Sequence, residues 1–86
     1  MKTDSTETDI SLDRILPNTW AVIQSISGDG RFVSRAAGRG LTTASCLFVV
    51  QNFRFGPMIV FLRDTQLALG RSEAKRVIVR RGHAAE

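Results

Sequence analysis

The sequence predicts a mainly β fold, a small β-barrel of about five strands with one inserted short α-helix. Two observations carry this reading. Short β-rich segments recur at roughly ten-residue spacing, each bounded by turn-forming residues. The longest stretch that spaces its apolar residues as a helix does is opened by Asp29 and closed by glycine. The chain has 86 residues, enough for one small domain. A chain of this size buries only about 60% of its unfolded surface, which excludes a large enzyme core.

Residues 1–9 are polar and acidic without apolar periodicity, and are expected to form a disordered N-terminal arm. Ser11 to Leu16 fits one helical turn with Leu12, Ile15 and Leu16 on one side, ended by Pro17-Asn18. Trp20 to Ile26 reads as the first strand, and Ser27-Gly28-Asp29-Gly30 as a loop. Arg31 to Arg39 is the helix, with Asp29 as N-cap and Gly38 or Gly40 at its end. Phe32, Val33, Ala36 and Ala37 share one face, and Arg31, Arg35 and Arg39 form a basic stripe on another. Small residues on the inner face imply close packing beneath the helix.

After Gly40 the chain reads as strands. Ser45 to Phe53 is one, Arg54-Phe55-Gly56-Pro57 its turn, and Met58 to Arg63 the next, with Asp64-Thr65 as a tight connection. Gln66 to Leu69 is a short strand, Gly70 to Ala74 a turn or a single helical turn, and Val77-Ile78-Val79 the last strand. The domain is expected to span residues 10–80, with 81–86 as a C-terminal tail.

Composition removes several functions. One cysteine, Cys46, cannot form an internal disulfide, and one histidine, His83, lies in the tail. Zinc and non-haem iron sites draw on several His or Cys ligands, and a nucleophile–histidine relay needs a histidine in the domain body. Asp29, Asp64 and Glu73 leave oxygen-only coordination of a weakly held ion open, but nothing in their spacing argues for it. No enzyme activity, cofactor or metal site is therefore expected. Gly28-Asp29-Gly30 lacks the length and the Lys-Ser/Thr ending of a phosphate loop and reads as a turn. No apolar run approaches the roughly 20 residues that span a bilayer, and the N-terminus is no signal peptide, so a cytoplasmic location is expected.

Charge is unevenly placed. In residues 1–13 one lysine faces four acids, a net of −3, whereas in residues 14–86 eleven bases face four acids, a net of +7. A basic body suits nucleic acid, an anionic lipid surface or an acidic protein, or is simply a solvated surface.

The order of elements is similar to that of the ferrous iron transport protein A family (FeoA). The residues concerned are Leu12-x-x-x-Leu16-Pro17, Ala21-x-Ile23, Ser25-Ile26-Ser27-Gly28, the basic helix and Gly40-Leu41. The series continues through Leu47-x-Val49-Val50, Phe55-Gly56-Pro57, Leu67-Ala68-Leu69, Ser72-Glu73-Ala74 and Val77-x-Val79. Asn18 stands where the family usually has a glycine, and Thr43-Ala44 replaces its Pro-Gly. Ala36, Ala37 and Arg39 occupy positions that are usually bulky, and Gly70 stands where the family often has Arg. The resemblance implies an SH3-like barrel and a small cytosolic partner of the membrane ferrous iron transporter B, which carries a cytosolic GTP-binding domain. Such a protein reaches the inner membrane through its partner.

Strand alternation then sorts the side chains. The family's core pattern puts Leu47, Val49, Met58, Val60, Leu62, Leu67, Leu69, Val77 and Val79 inside. Phe48, Val50, Ile59 and Phe61 then point outward on neighbouring strands, as a docking or self-association face unless the segment around Leu12, Ile15 and Leu16, or the helix, covers them. At the hairpin tip Arg54 lies between Phe53 and Phe55. Such a tip suits base stacking, a partner groove or a membrane surface, but the simpler expectation is that Phe53 or Phe55 closes the barrel end. Arg31, Arg35 and Arg39 can meet phosphate or an acidic protein, or form a solvated face. The function expected is modulation of the iron transporter by protein–protein contact. The alternative is a small basic nucleic-acid-binding barrel, against which the absence of Tyr and the few aromatics count.

Overall fold

Strand β1 (Asp9–Ser11) leads into a 3-10 turn (Leu12–Arg14), then β2 (Thr19–Ile26), α1 (Gly30–Gly38), β3 (Cys46–Gln51), β4 (Met58–Leu62), β5 (Thr65–Leu69), α2 (Arg71–Lys75) and β6 (Val77–Arg81) in the computed structural model, which describes residues 8–82. The strands form one antiparallel sheet in the order β1-β6-β2-β3-β4-β5. It curls into an SH3-like barrel around one apolar core. No ladder joins β1 to β5 among the described residues. On that side α2 packs against the 3-10 turn.

The alternation expected in the strands is observed. Leu47, Val49, Met58, Val60, Leu62, Leu69, Val77 and Val79 are buried, joined by Leu12, Ile15, Ala21 and Ile23. Leu67 is half-buried and packs on the core from β5, an edge strand. Bulges between Ile23 and Ser25 and between Val49 and Gln51 supply local bending. Arg63 and Asp64, both at positive φ (52° and 64°), make the two-residue β4–β5 turn, so Thr65 pairs with Leu62 instead of lying in the connection.

Six strands replace the expected five. The additional strand, β1, takes in Asp9, the last residue of the expected arm; residues 1–7 lie outside the described residues. Asp9-Ile10-Ser11 carries one apolar residue, too few for alternation to show, and its partner is far along the chain. Arg80 Nε donates to Asp9 Oδ1 at 2.9 Å across a separation of 71 residues. At the other terminus Arg81 completes β6, and the Gly82 N–H donates to the Trp20 carbonyl at 2.8 Å.

The segment after β1 also differs from a helical turn through Leu16. The 3-10 turn ends at Arg14 and Ile15 is extended (φ −83°, ψ 132°). Neighbouring side chains of an extended segment point apart, so Ile15 enters the core while Leu16 is 72% exposed. Helix α1 starts as expected, with Asp29 Oδ1 accepting the Phe32 N–H at 2.9 Å. Its buried stripe is narrower than its four apolar residues suggest. Phe32 and Ala36, one turn apart, are buried, while Val33 and Ala37 are exposed.

Candidate interaction surface

The sheet register assembles the outward face. Phe48 lies opposite Phe61 on β4 and opposite Trp20 on β2, giving a row of three aromatics across three strands. The Trp20 and Phe48 rings are tilted, with centroids 5.1 Å apart, within the range where aromatic pairs attract. Ile59 lies beyond, opposite Gln51 and Ala68, and the β3 bulge turns out Val50 beside it. Val50 and Phe61 are the most open of the four apolar residues expected outward, and Phe48 and Ile59 are half-buried. Neither expected cover lies over them. Leu12 and Ile15 are in the core, and the buried residues of α1 line a cavity of about 10 Å³ with Leu41, Leu69 and Val77, all core or inward-facing. Trp20 joins this face too; its pairing with Phe48 follows from register, which the sequence does not display.

A second surface sits at the β3–β4 loop. Here the expectation that an aromatic closes the barrel end fails: Phe53 is 62% exposed and Phe55 82%. The end is held by polar groups instead. Asn52 Nδ2 donates to the carbonyls of Asp13 (3.0 Å) and Ile15 (2.7 Å). Arg71 Nη1 donates to Asn52 Oδ1 at 2.6 Å and to the Phe53 carbonyl at 2.9 Å, and its Nη2 to the Asp13 carbonyl at 3.3 Å. One amide and one guanidinium thus tie the β3–β4 loop, the segment after β1 and α2 together. With that end satisfied by hydrogen bonds, Phe53 and Phe55 are left outside, and Leu16 is the residue after a carbonyl that Asn52 holds. Asn52 and Arg71 escaped sequence reasoning because no local spacing links residues from separate segments, and Leu16, expected on the same side as Leu12 and Ile15, is exposed instead.

The basic stripe on α1 does not act as a unit. Arg39 Nη2 donates to the Ala68 carbonyl at 3.0 Å, and Nη1 lies 3.9 Å from Glu73 Oε2, so this arginine ties α1 to the β5 edge. Arg31 and Arg35 are exposed. Arg76 covers the Phe32 ring at 5.1 Å from its centroid. Beside the helix, Ile26, Val33, Ala37 and Leu41 line an open groove of about 230 Å³. Glu73 Oε1 accepts the Gly70 N–H at 2.9 Å, and Cys46 is a half-buried free thiol. His83 lies outside the described residues. Among those described, no three His, Cys, Asp or Glu side chains are placed to share a metal ion, and no helix is long and apolar enough to cross a membrane.

Comparison with known proteins places this architecture. No curated protein matches the chain. The crystal structure of an iron uptake regulatory protein (FeoA) superposes with a TM-score of 0.83 at 24% identity, covering 87% of this chain and 100% of that one. The structure of a FeoA-like protein from Clostridium acetobutylicum gives 0.76 at 18% identity, covering 91% and 94%. A manganese-dependent transcriptional repressor gives 0.81 at 20% identity over 88% of this chain, which spans only 43% of that larger one. Identities this low establish the fold. The sequence model of the FeoA domain, however, matches residues 10–81, from β1 through the end of β6, and the chain belongs to the FeoA domain family.

Proposed function

We propose that this protein acts in ferrous iron uptake by docking on the cytosolic GTP-binding domain of the membrane ferrous iron transporter. Its binding biases the conformational or nucleotide state of that domain. Such a bias requires only that the protein bind one state more tightly than another. The family membership supports the pathway, and the row of Phe48 and Phe61 with Val50 and Ile59 supports the mode of action. This row is the observation on which the reading rests: side chains of this size on a sheet face outside the core are the composition of a contact centre. Phe61 is the residue to probe, because it faces outward and its substitution leaves the core intact.

The test is a pull-down and titration of the full chain against the transporter's cytosolic domain. Binding at tens of micromolar or tighter is expected. Phe61→Asp should weaken it by about thirtyfold, the effect of losing a central aromatic contact and burying a carboxylate. It should also lower stability by about 1–2 kcal/mol through the lost pairing with Phe48, so binding is measured well below the unfolding midpoint. Absence of binding, or equal binding and uptake with Phe61→Asp, defeats the proposal.

A further inference from the structure

We infer that the β3–β4 loop is a membrane-surface contact, inserting Phe53 and Phe55 into the interfacial layer of an anionic bilayer while Arg14 and Arg54 meet lipid phosphates. This surface differs from the sheet face around Phe61, and the inference does not depend on docking to the transporter. Three observations carry it. Phe53, Phe55 and Leu16 are among the most exposed large apolar residues of the described chain, and the bonds from Asn52 place their segments together. They stand on the β3–β4 loop and the turn before β2. Exposed apolar side chains outside a formed groove suit a fluid medium that closes around them, and the gain scales with apolar area removed from water.

The second observation is charge. Segments 12–17 and 52–57 contain two arginines, Arg14 and Arg54, both exposed, and one carboxylate, Asp13. That carboxylate is half-buried and accepts the Ser11 hydroxyl proton at 2.6 Å. No ion pair engages either arginine among the described residues. Cations beside aromatic rings match a layer with phosphates above and acyl chains below, because long basic side chains reach up to the headgroups while the rings stay at the boundary. The third observation is order. Gly56, at φ 87°, permits the turn, and Arg71 already holds the Phe53 carbonyl. A backbone acceptor with an internal donor resists dehydration less, and a loop already fixed loses less freedom on contact.

Vesicle co-sedimentation with the full-length chain tests the inference, using phosphatidylcholine alone and phosphatidylcholine with about a third phosphatidylglycerol at low salt. Wild type should partition to the anionic vesicles and hardly to the neutral ones. Phe53→Ser/Phe55→Ser should lower the partition coefficient about tenfold or more. Arg14→Gln and Arg54→Gln should each lower it about fivefold. A Phe55→Trp chain should shift its emission to the blue on anionic vesicles, while wild type, which reports Trp20 alone, should not. Wild type staying in the supernatant, or the double serine variant binding as well as wild type, overturns the inference. So does loss of transporter binding in the serine variant with vesicle binding unchanged, which would make the tip a protein contact.

Discussion

Replacing Ala44 with glycine should stabilise the protein. Ala44 has φ 75°, in the left-handed region, where the Cβ of an L-residue crowds its own backbone. The position is fixed by hydrogen bonds on both sides. The Ala44 N–H donates to the Ile23 carbonyl at 2.8 Å, the Ser45 N–H to Thr42, and the Ile23 N–H to Ser45. The chain cannot leave this conformation without releasing the entry to β3. The left-handed conformation costs an alanine about 1–2 kcal/mol. Glycine removes that cost but adds unfolded-state freedom worth about 0.4–1 kcal/mol. Ala44 is exposed, so no packing is lost. The net gain is then about 0.5–1 kcal/mol, a rise of roughly 2–8 °C in the unfolding midpoint for a domain of this size. Urea denaturation should show a higher midpoint with an unchanged slope. An unchanged or lowered midpoint for Ala44→Gly would refute the backbone-strain reasoning, because no side-chain contact complicates the substitution.

Other substitutions test the remaining parts of the fold. Gly38→Ala should also stabilise, by about 0.5–1 kcal/mol in thermal unfolding, since its φ is ordinary and a Cβ there meets nothing within 4 Å. Gly40→Ala should destabilise in the same assay. Its φ is 94° and the new Cβ would lie 3.3 Å from Leu62 Cδ2, so about 1–2 kcal/mol should be lost. Asn52→Ala removes two donated bonds and one accepted bond from a half-buried clamp and should cost about 2–3 kcal/mol in denaturant titration. Asp9→Ala breaks an exposed pair, Arg80 Nη2 to Asp9 Oδ1 at 2.9 Å; stability should fall by less than about 1 kcal/mol, and by less still at high salt.

What the sequence disclosed follows from the range of each interaction. Strand interiors such as Met58-x-Val60-x-Leu62 were legible because alternation is a property of five consecutive residues. The N-cap was legible because Asp29 and the amide it serves are three residues apart. β1 was not, since its stability comes from β6 at the other end of the chain. Nor was the exposure of Phe53 and Phe55. Their position at a hairpin tip suggested that an aromatic would seal the barrel end, whereas that end is held by a clamp whose Arg71 and Asn52 lie 19 residues apart. The replacements at family glycines were visible, but their meaning was not. Asn18 at φ 63° is a residue that tolerates the left-handed region, whereas Ala44 at φ 75° is not, so two departures of the same kind have different energetic consequences.

The polar groups of the described chain bear on the kind of work this fold can do. Asp29 caps α1, Glu73 holds the Gly70 amide, Arg39 holds the Ala68 carbonyl, and Arg71 with Asn52 closes one barrel end. Each satisfies a backbone group or another clamp residue, so recruiting it to a ligand would cost the bond it now makes, about 1–3 kcal/mol where the orphaned partner is buried. The apolar groups outside the core carry no such commitment. Covering Phe61, Val50, Phe53 or Phe55 releases water without breaking an internal bond, and the free energy available on association is therefore concentrated on the sheet face and the loop tip. This distribution favours the contact-based mode of action proposed above. Substitutions at Phe53 and Phe55 should separate function from stability, whereas substitutions at Asn52 or Arg71 should lower both together.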